Sequence, residues 1–481
     1  MGIQAAFAVP HPPLIIPAVG NGRERGIQKT IDSYREVARR IVALSPDTVV
    51  ITSPHATLYR DWFHVSPGRK AVGDLNGFGA FGTRLETDYD EELTALISQR
   101  AYETGFPAGT QGERDPKLDH ATYIPLWFLR EAGFRGRTVR IGLSGFNPHM
   151  HYRMGQLIAE CADELGRNWV HVASGDLSHK LLDDGPYGFV PEGPRFDAEI
   201  TRAMDQGDFL YFLSVDPTFA DTAAECGLRS FQIMAGALDG LSVRSELLSY
   251  EGPFGVGYGV AAFDVTGEDA GRHIGEIYLQ NAIDEVARKR ATEDIYVKLA
   301  RATVERYVLH GETPTVEDVC ANPERYGLVP DAFEVDGKPS PLPADMLNRN
   351  ARAFVSLHTF GQLRGCMGTV SPAPLARTII EFAVTACSAD PRFDPVEPDE
   401  LDVLDMSVDV LTDPEPIDSA DDLDPKRYGV IVTRGVQRGL LLPDLDGVDT
   451  AEQQISIAKR KAGIAEGAPV RLQRFEVVRH V

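Results

Sequence analysis

Three apolar, β-branched runs in the first half of the chain are each followed closely by a histidine, and this pattern constrains the fold most. The runs and their histidines are residues 3–9 with His11, residues 47–52 with His55, and residues 168–173 with His179. Such runs predict buried strands. The helical periodicity of residues 24–44, between the first two runs, predicts a parallel strand–helix–strand unit. Because open α/β sheets bind ligands at the carboxyl ends of their strands, we expect these histidines to face a site.

A polar, glycine-bounded segment at residues 267–271 separates two parts of the chain with different patterns. Strand and helix patterns alternate before it, which predicts an α/β domain with a mostly parallel sheet flanked by helices. Amphipathic helices and short strands follow it, which predicts a smaller α+β domain. We therefore predict a first domain over residues 1–266, a linker with a linking helix over 267–290, and a second domain over 291–481.

The composition limits the class of partner and the compartment. The 481 residues carry a formal net charge of −23, which argues against nucleic acid or an anionic membrane as a partner. The five cysteines are widely spaced and contain no CxxC pair, as expected for a protein of the reducing cytoplasm. We find no signal peptide pattern and no apolar run long enough for a bilayer. The oligomeric state is left open.

Four histidines and one glutamate of the first domain lie at predicted element ends or in loops. Two imidazoles and one carboxylate form the facial triad that binds iron(II), and His11, His55 and Glu225 can supply it. His179 and His120 then remain as a proton-transfer pair. The chain has 12 histidines, so a single one is better explained as an ordinary polar residue. Four in such positions favour a metal site, although spacing alone does not separate iron from zinc.

Several motifs of the first domain occur in the order known from one superfamily. They are His-Pro-Pro at 11–13, Ser-Pro-His at 53–55, Asp-His at 119–120 before Pro-Leu at 125–126, Gly-Asp-Leu-Ser-His at 175–179, and a glutamate ahead of the apolar residues 231–238. This series resembles the class III extradiol ring-cleavage dioxygenases, the LigB-like superfamily. The resemblance implies that His11, His55 and Glu225 bind iron(II). It also implies that His179 is the base for a catechol hydroxyl and that His120 is an acid near bound oxygen.

One departure from the dioxygenase pattern follows Glu225 directly. The same superfamily includes the Memo proteins, in which a Cys-Gly pair lies in the metal pocket at about this place, and here Cys226 and Gly227 form such a pair. The sequence therefore resembles both groups. We predict that Glu225 is the ligand and that Cys226 is a neighbouring pocket residue. A small buried side chain is the alternative interpretation of Cys226.

The second domain resembles the AMMECR family. The resemblance is carried by residues 363–369, 390–393, 428–429 and 439–443. Gly365 and Gly368 permit a tight backbone turn around Cys366. Arg364 beside Cys366 could lower the pKa of the thiol or bind an anion, and a merely packed cysteine is the equal alternative. Because Memo-like and AMMECR-like proteins tend to occur together with a radical-SAM enzyme, the fusion implies such a partner.

These observations give one predicted function and one alternative. The prediction is a non-haem iron(II)-dependent, extradiol-dioxygenase-like oxidoreductase that acts on a small, aromatic, hydroxylated substrate, with zinc or another divalent metal as alternatives to iron. Glu225 and His179 favour it. The alternative is a Memo-like metal-binding protein without ring-cleavage activity that acts with a radical-SAM partner. Cys226, Gly227 and the fused second domain favour this alternative.

Overall fold

The computed structural model describes residues 2–445 and 447–481 of the chain. It divides into two compact units, Met1–Asn281 and Ala282–Val481. The division falls inside the segment that the sequence predicts as a linker and linking helix. Among the described helices, none has the length and hydropathy needed to cross a membrane.

The first unit is built from alternating strands and helices. Its strands are β1 (Ile3–Val9), β2 (Thr48–Ser53), β3 (Phe63–His64), β4 (Lys70–Leu75), β5 (Ala80–Asp88), β6 (Ala108–Gly109), β7 (Arg137–Gly142), β8 (Trp169–Ser174), β9 (Leu241–Glu251) and β10 (Tyr258–Glu268). Its α-helices are α1 (Pro17–Gly20), α2 (Gln28–Leu44), α3 (Glu91–Thr104), α4 (His120–Glu131), α5 (Pro148–Glu164), α6 (Glu192–Gln206), α7 (Phe209–Ser214), α8 (Pro217–Ala223), α9 (Leu228–Ala237) and the start of α10 (Ile274–Arg290). Short 3₁₀ turns cover Pro13–Ile15, Arg23–Ile27, Asn76–Phe78 and Ala270–Arg272.

Six strands form the central sheet of this unit, in the order β7-β2-β8-β1-β10-β9. The first four run parallel, and β10 and β9 extend the sheet in antiparallel pairs. Val9 pairs with Ser174, and Thr52 pairs with Ala173. The carboxyl ends of β1, β2 and β8 therefore lie side by side. The predicted mostly parallel sheet flanked by helices is confirmed.

Helices cover both faces of the sheet because alternate strand residues point to opposite sides. Along β1, Ala6 and Ala8 belong to a core shared with α5 and α9, whereas Phe7 belongs to a core shared with α2 and α4. Helices α5 and α9 approach closely at Gly155, where a Cβ atom would lie 2.0 Å from the carbonyl oxygen of Ile233. The residues 123–129, predicted only as a buried element, lie in helix α4.

The second unit has a five-stranded sheet, a four-stranded sheet and a separate two-stranded pair, and its core is smaller. Its strands are β11 (Phe333–Val335), β12 (Lys338–Ser340), β13 (Asn350–Thr359), β14 (Gln362–Gly368), β15 (Ala373–Pro374), β16 (Leu404–Leu411), β17 (Glu415–Ile417), β18 (Gly429–Arg434), β19 (Gln437–Leu441), β20 (Arg471–Phe475) and β21 (Val477–His480). Its α-helices after α10 are α11 (Ile295–His310), α12 (Val316–Ala321), α13 (Ala344–Asn348), α14 (Leu375–Ser388) and α15 (Ala451–Lys461). Short 3₁₀ turns cover Pro323–Tyr326, Pro398–Val403 and Ala420–Asp422.

The larger sheet of this unit has the order β14-β13-β16-β21, with β15 paired to β13, and the smaller has the order β17-β20-β18-β19. The separate pair is β11 with β12. Helices α11 and α14 pack on one face of the larger sheet, where Val355 and Leu357 of β13 are fully buried. The segregation of helices to one side of antiparallel strands is an α+β arrangement, as predicted.

Candidate metal site

Three histidines meet at the carboxyl edge of the first unit's sheet. His11 follows β1, His55 follows β2, and His120 is the first residue of α4. The ring centroids of His11 and His55 are 4.9 Å apart, those of His55 and His120 are 4.2 Å apart, and those of His11 and His120 are 5.4 Å apart. His11 is buried, whereas part of the His55 ring is exposed. Two strand ends and the start of α4 thus bring together three of the histidines predicted to lie at the site.

A close backbone approach brings a cysteine to the same place. Gly175 follows β8 and Gly227 precedes α9, and a Cβ atom on Gly175 would lie only 2.1 Å from the Cα of Gly227. Any side chain at Gly175 would force the two segments apart. Because they touch, Cys226 lies against the turn after β8, where its backbone N–H donates to the carbonyl oxygen of Asp176 at 3.3 Å.

The Cys226 thiol joins the histidine group. Its Sγ atom is 3.6 Å from Nε2 of His11. One potential ligand atom from each of His11, His55 and Cys226 lies within 4.8 Å of the others. Imidazole and thiolate are ligands for zinc, iron and copper. These three side chains could therefore hold a transition metal.

The carboxylate of Glu225 has a different role in the structure. Its Oε2 atom accepts a hydrogen bond from the backbone N–H of Leu228 at 2.6 Å, which satisfies one of the free donors at the start of α9. The group of potential ligands contains Cys226 and not Glu225. The assignment of Glu225 as the third ligand stays a prediction, and the positions of the side chains favour Cys226. Burial raises the pKa of Glu225 to about 7.

Asp176 connects several parts of this site. Its Oδ1 atom accepts a hydrogen bond from the backbone N–H of His11 at 2.7 Å, and its own backbone N–H donates to Sγ of Cys226 at 3.4 Å. An N–H donor aimed at sulfur stabilises the thiolate form that binds metals. Burial raises the pKa of Asp176 to about 7, against the opposing effect of the His11 amide.

The histidines of the site are held in their neutral forms. Burial, reinforced by the neighbouring His55 and His120, lowers the pKa of His11 well below its usual value. Loss of water likewise lowers the pKa of His55, and it lowers the pKa of His120 to about 4. Burial raises the pKa of the Cys226 thiol well above its usual value. Neutral imidazoles are the form that binds metals, and a bound cation would favour the thiolate of Cys226.

His179 lies beside this group, and its hydrogen bond defines its tautomer. Its Nδ1 atom is hydrogen-bonded to the carbonyl oxygen of Ala224, which can only accept, so Nδ1 carries the proton. Ala224 adopts a left-handed backbone conformation with φ of 55°, which is uncommon outside glycine. The Nε2 atom of His179 therefore keeps a lone pair and lies 3.9 Å from Oδ2 of Asp176. The ring of Tyr187, in the loop between β8 and α6, is 5.3 Å away.

His120 is positioned by the residue before it. Asp119 caps α4, because its Oδ1 atom accepts from the backbone N–H of Thr122 at 3.0 Å. The same Oδ1 atom accepts from Oγ of Ser53, at the end of β2, at 2.6 Å. The cap therefore ties the start of α4, with His120, to the strand end that precedes His55.

Ser174 and Asp176 contact His11, although the sequence motifs gave them no role, and Cys226 was not predicted as a ligand. Ser174 and Asp176 stand in the Ser-Gly-Asp turn after a buried strand, and Gly227 follows Cys226 directly. A small or acidic residue at a strand end next to glycine is the signal that could have identified these positions.

The second unit places Cys366 next to an arginine other than the predicted one. Arg364 is used elsewhere, because its Nε and Nη2 atoms bind both carboxylate oxygens of Glu400 at 2.7 and 2.8 Å. Near Cys366, the guanidinium of Arg392 donates to the carbonyl oxygen of Cys366 at 3.0 Å, and the hydroxyl of Ser356 is 3.3 Å from its Sγ atom. The predicted pairing of Arg364 with the Cys366 thiol therefore has no support in these contacts.

Comparison with known proteins agrees with this division of the chain. Residues 5–261 match the family described as the catalytic LigB subunit of aromatic ring-opening dioxygenase, and residues 297–480 match AMMECR1. The chain belongs to the LigB family and carries an AMMECR1 domain in its C-terminal part, as the sequence motifs predict.

Relatives match either the whole chain or one part of it. A protein of Clostridium acetobutylicum is 36% identical over 489 residues, covering 100% of this chain and 99% of that protein. A protein of Thermotoga maritima is 46% identical over 192 residues, which cover 39% of this chain and 98% of that protein. An uncharacterized protein of Pyrococcus horikoshii of known structure is 27% identical, with a TM-score of 0.30 over 38% of this chain and 88% of that one.

Proposed function

We propose that the first unit is a metal-dependent protein of the Memo type, in which His11, His55 and Cys226 bind a divalent transition metal. The observation that carries this proposal is the thiol of Cys226, 3.6 Å from Nε2 of His11 and grouped with His55. Iron is our first choice, and zinc or copper also suits two imidazoles and a thiolate. Such a metal, when bound, supplies Lewis acidity and, for iron or copper, electron transfer.

His179 is the proposed base for a small substrate bound at this site. Its Nδ1 proton is committed to the carbonyl oxygen of Ala224, so Nε2 is free to accept a proton. Burial lowers the pKa of His179, which keeps the ring neutral at pH 7. A base must be unprotonated at the working pH, and His179 meets this condition. We expect His179→Ala to leave metal binding intact while lowering turnover by roughly 10²–10⁴-fold.

Metal titration of purified variants tests the ligand set. Cobalt(II) is a suitable probe because a cobalt–thiolate bond gives an intense charge-transfer band. We expect the wild-type chain to show this band and Cys226→Ser to lose it, with metal affinity reduced by roughly 100-fold or more, since a ligand matters at least as much as its supporting residues. Glu225→Gln, the adjacent substitution, is the matched control and should keep both the band and the affinity.

A second candidate function is iron(II)-dependent cleavage of a catechol ring, which the LigB family match favours. In that case Glu225 would be the third ligand and Cys226 would be a bystander. Glu225→Gln would then abolish metal binding, whereas Cys226→Ser would not. A panel of catechols, assayed with anaerobically reconstituted iron(II) protein, tests the activity itself. The aromatic substrate and the radical-SAM partner stay predictions.

A further inference from the structure

Ser174 is the last residue of β8, and its fully buried hydroxyl makes two contacts of different kinds. Its Oγ atom is 2.7 Å from the carbonyl oxygen of Ala121 and 3.1 Å from Nδ1 of His11. A serine hydroxyl has one proton to donate and lone pairs to accept with. Which contact receives that proton decides which nitrogen of His11 carries a hydrogen.

The carbonyl of Ala121 lacks its usual partner within helix α4. In an α-helix this oxygen accepts from the N–H four residues later, which here is Pro125, a residue without an N–H. The carbonyl belongs to the residue after His120, in the first turn of α4, and its contact with Ser174 is buried. The Ser174 hydroxyl takes the place of the missing helical donor.

The short distance confirms where the hydroxyl proton lies. Two oxygen atoms 2.7 Å apart repel unless a hydrogen lies between them, and the Ala121 carbonyl has none to give. The proton of Ser174 is therefore committed to Ala121. The contact with His11 can then be a hydrogen bond only if Nδ1 of His11 donates to Ser174.

We infer that Ser174 is a positioning residue that holds His11 in the Nδ1–H tautomer and so directs the lone pair of Nε2 toward the metal. This inference rests on the proposed role of His11 as a ligand. Nε2 is the atom that faces Cys226 Sγ at 3.6 Å, so the required tautomer and the geometry agree. Metal-bound histidines commonly donate their other N–H to a fixed acceptor in this way. Pro125 thus acts on the site through Ala121 and Ser174.

The tautomer can be measured without any metal. We would label the histidines of the full chain with ¹⁵N and record long-range ¹H–¹⁵N spectra of the metal-free protein, assigning His11 by its loss in His11→Gln. The expected result for the wild type is a protonated Nδ1 and an unprotonated Nε2. A proton on Nε2 in the wild type would overturn the inference without recourse to any variant.

Substitution then tests the role of the hydroxyl. Ser174→Ala should give a mixture of His11 tautomers and weaken cobalt(II) binding by roughly 10–100-fold, with the thiolate band retained at saturation. Ser174→Thr, which keeps the hydroxyl, should restore the single tautomer. Ser230→Ala is the matched control: Ser230 is equally buried and donates to the Ser174 carbonyl at 2.9 Å but has no role at His11. It should keep the wild-type tautomer and affinity.

Failure of this inference and failure of the proposed function give different results. If Ser174→Ala keeps the wild-type tautomer and affinity while the wild type shows the thiolate band, only the role of Ser174 is wrong. If the wild type shows no thiolate band but His11 is in the Nδ1–H form, the tautomer argument holds and the ligand assignment is wrong. If Ser230→Ala weakens cobalt binding as much as Ser174→Ala does, the effect is general packing and the positioning role is refuted.

Discussion

Replacing the buried His171 should remove part of the acid sensitivity of the first unit. His171 is fully buried in β8, and its Nε2 atom is 3.2 Å from Oγ1 of Thr52 on the neighbouring strand. Burial lowers its pKa to about 3, compared with about 6.5 in an unfolded chain. Between these values the unfolded chain binds a proton that the folded chain does not, so stability falls as the pH falls.

The magnitude follows from proton linkage. A pKa of about 3 in the folded state and about 6.5 in the unfolded state costs about 2 kcal/mol on going from about pH 7.5 to pH 5. The full loss, reached below about pH 3, is about 5 kcal/mol. His171→Gln keeps a hydrogen-bonding side chain but cannot titrate. The stability difference between the two pH values should therefore be about 2 kcal/mol smaller in the variant than in the wild type.

Urea unfolding followed by tryptophan fluorescence measures this stability difference for the first unit. All three tryptophans of the chain lie in that unit, at Trp62, Trp127 and Trp169. His310→Gln, which removes an exposed histidine of the second unit, is the control and should behave as the wild type. If His171→Gln loses as much stability between about pH 7.5 and pH 5 as the wild type does, protonation of His171 does not contribute to the acid sensitivity.

Three further predictions concern packing and charge. Gly155→Ala should lower the free energy of unfolding of the first unit by about 1–3 kcal/mol, because the new Cβ would lie 2.0 Å from a carbonyl oxygen of α9. Urea unfolding measures this loss, and an unchanged unfolding midpoint would contradict the close packing of the two helices. Arg301→Met should lower the free energy of unfolding of the second unit by roughly 3–5 kcal/mol, because the buried carboxylate of Glu293, 2.7 Å from Nε of Arg301, loses its partner. Adding Glu293→Leu should restore most of the lost stability, and calorimetry of the two variants tests both expectations. Arg364→Gln should destabilise the second unit, because Arg364 binds Glu400, but it should leave the rate of Cys366 alkylation by iodoacetamide unchanged. A slower alkylation would show that Arg364 does activate the Cys366 thiol.

The neighbourhood of the histidines could be predicted because it depends on local patterns. Runs of β-branched residues with a helix between them form parallel strands, and parallel strands end at one edge of the sheet. His11 and His55 were therefore expected to be close, and their rings are 4.9 Å apart. His120 also reached the site, although the sequence did not predict that it begins a helix.

The choice between Glu225 and Cys226 could not be made from the sequence. The two residues are adjacent, so spacing treats them alike, and their directions depend on the left-handed backbone of Ala224 and on the contact of Gly175 with Gly227. The same limit applies to Arg364, which is adjacent to Gly365 and Cys366 in sequence but binds Glu400. Neighbours in sequence often point to different partners, because each side chain follows the local backbone and the packing around it.

Sequence patterns alone were enough to predict the two domains, the parallel strands of the first sheet and the histidines at their carboxyl ends. Hydrophobic periodicity and turn residues are local properties, and they are sufficient for these features. Which atoms meet depends on the folded structure: the thiol of Cys226 with His11, the carboxylate of Glu225 with the start of α9, and the hydroxyl of Ser174 between Ala121 and His11. These contacts join segments far apart in the chain, and their geometry is set by the close packing of the whole unit.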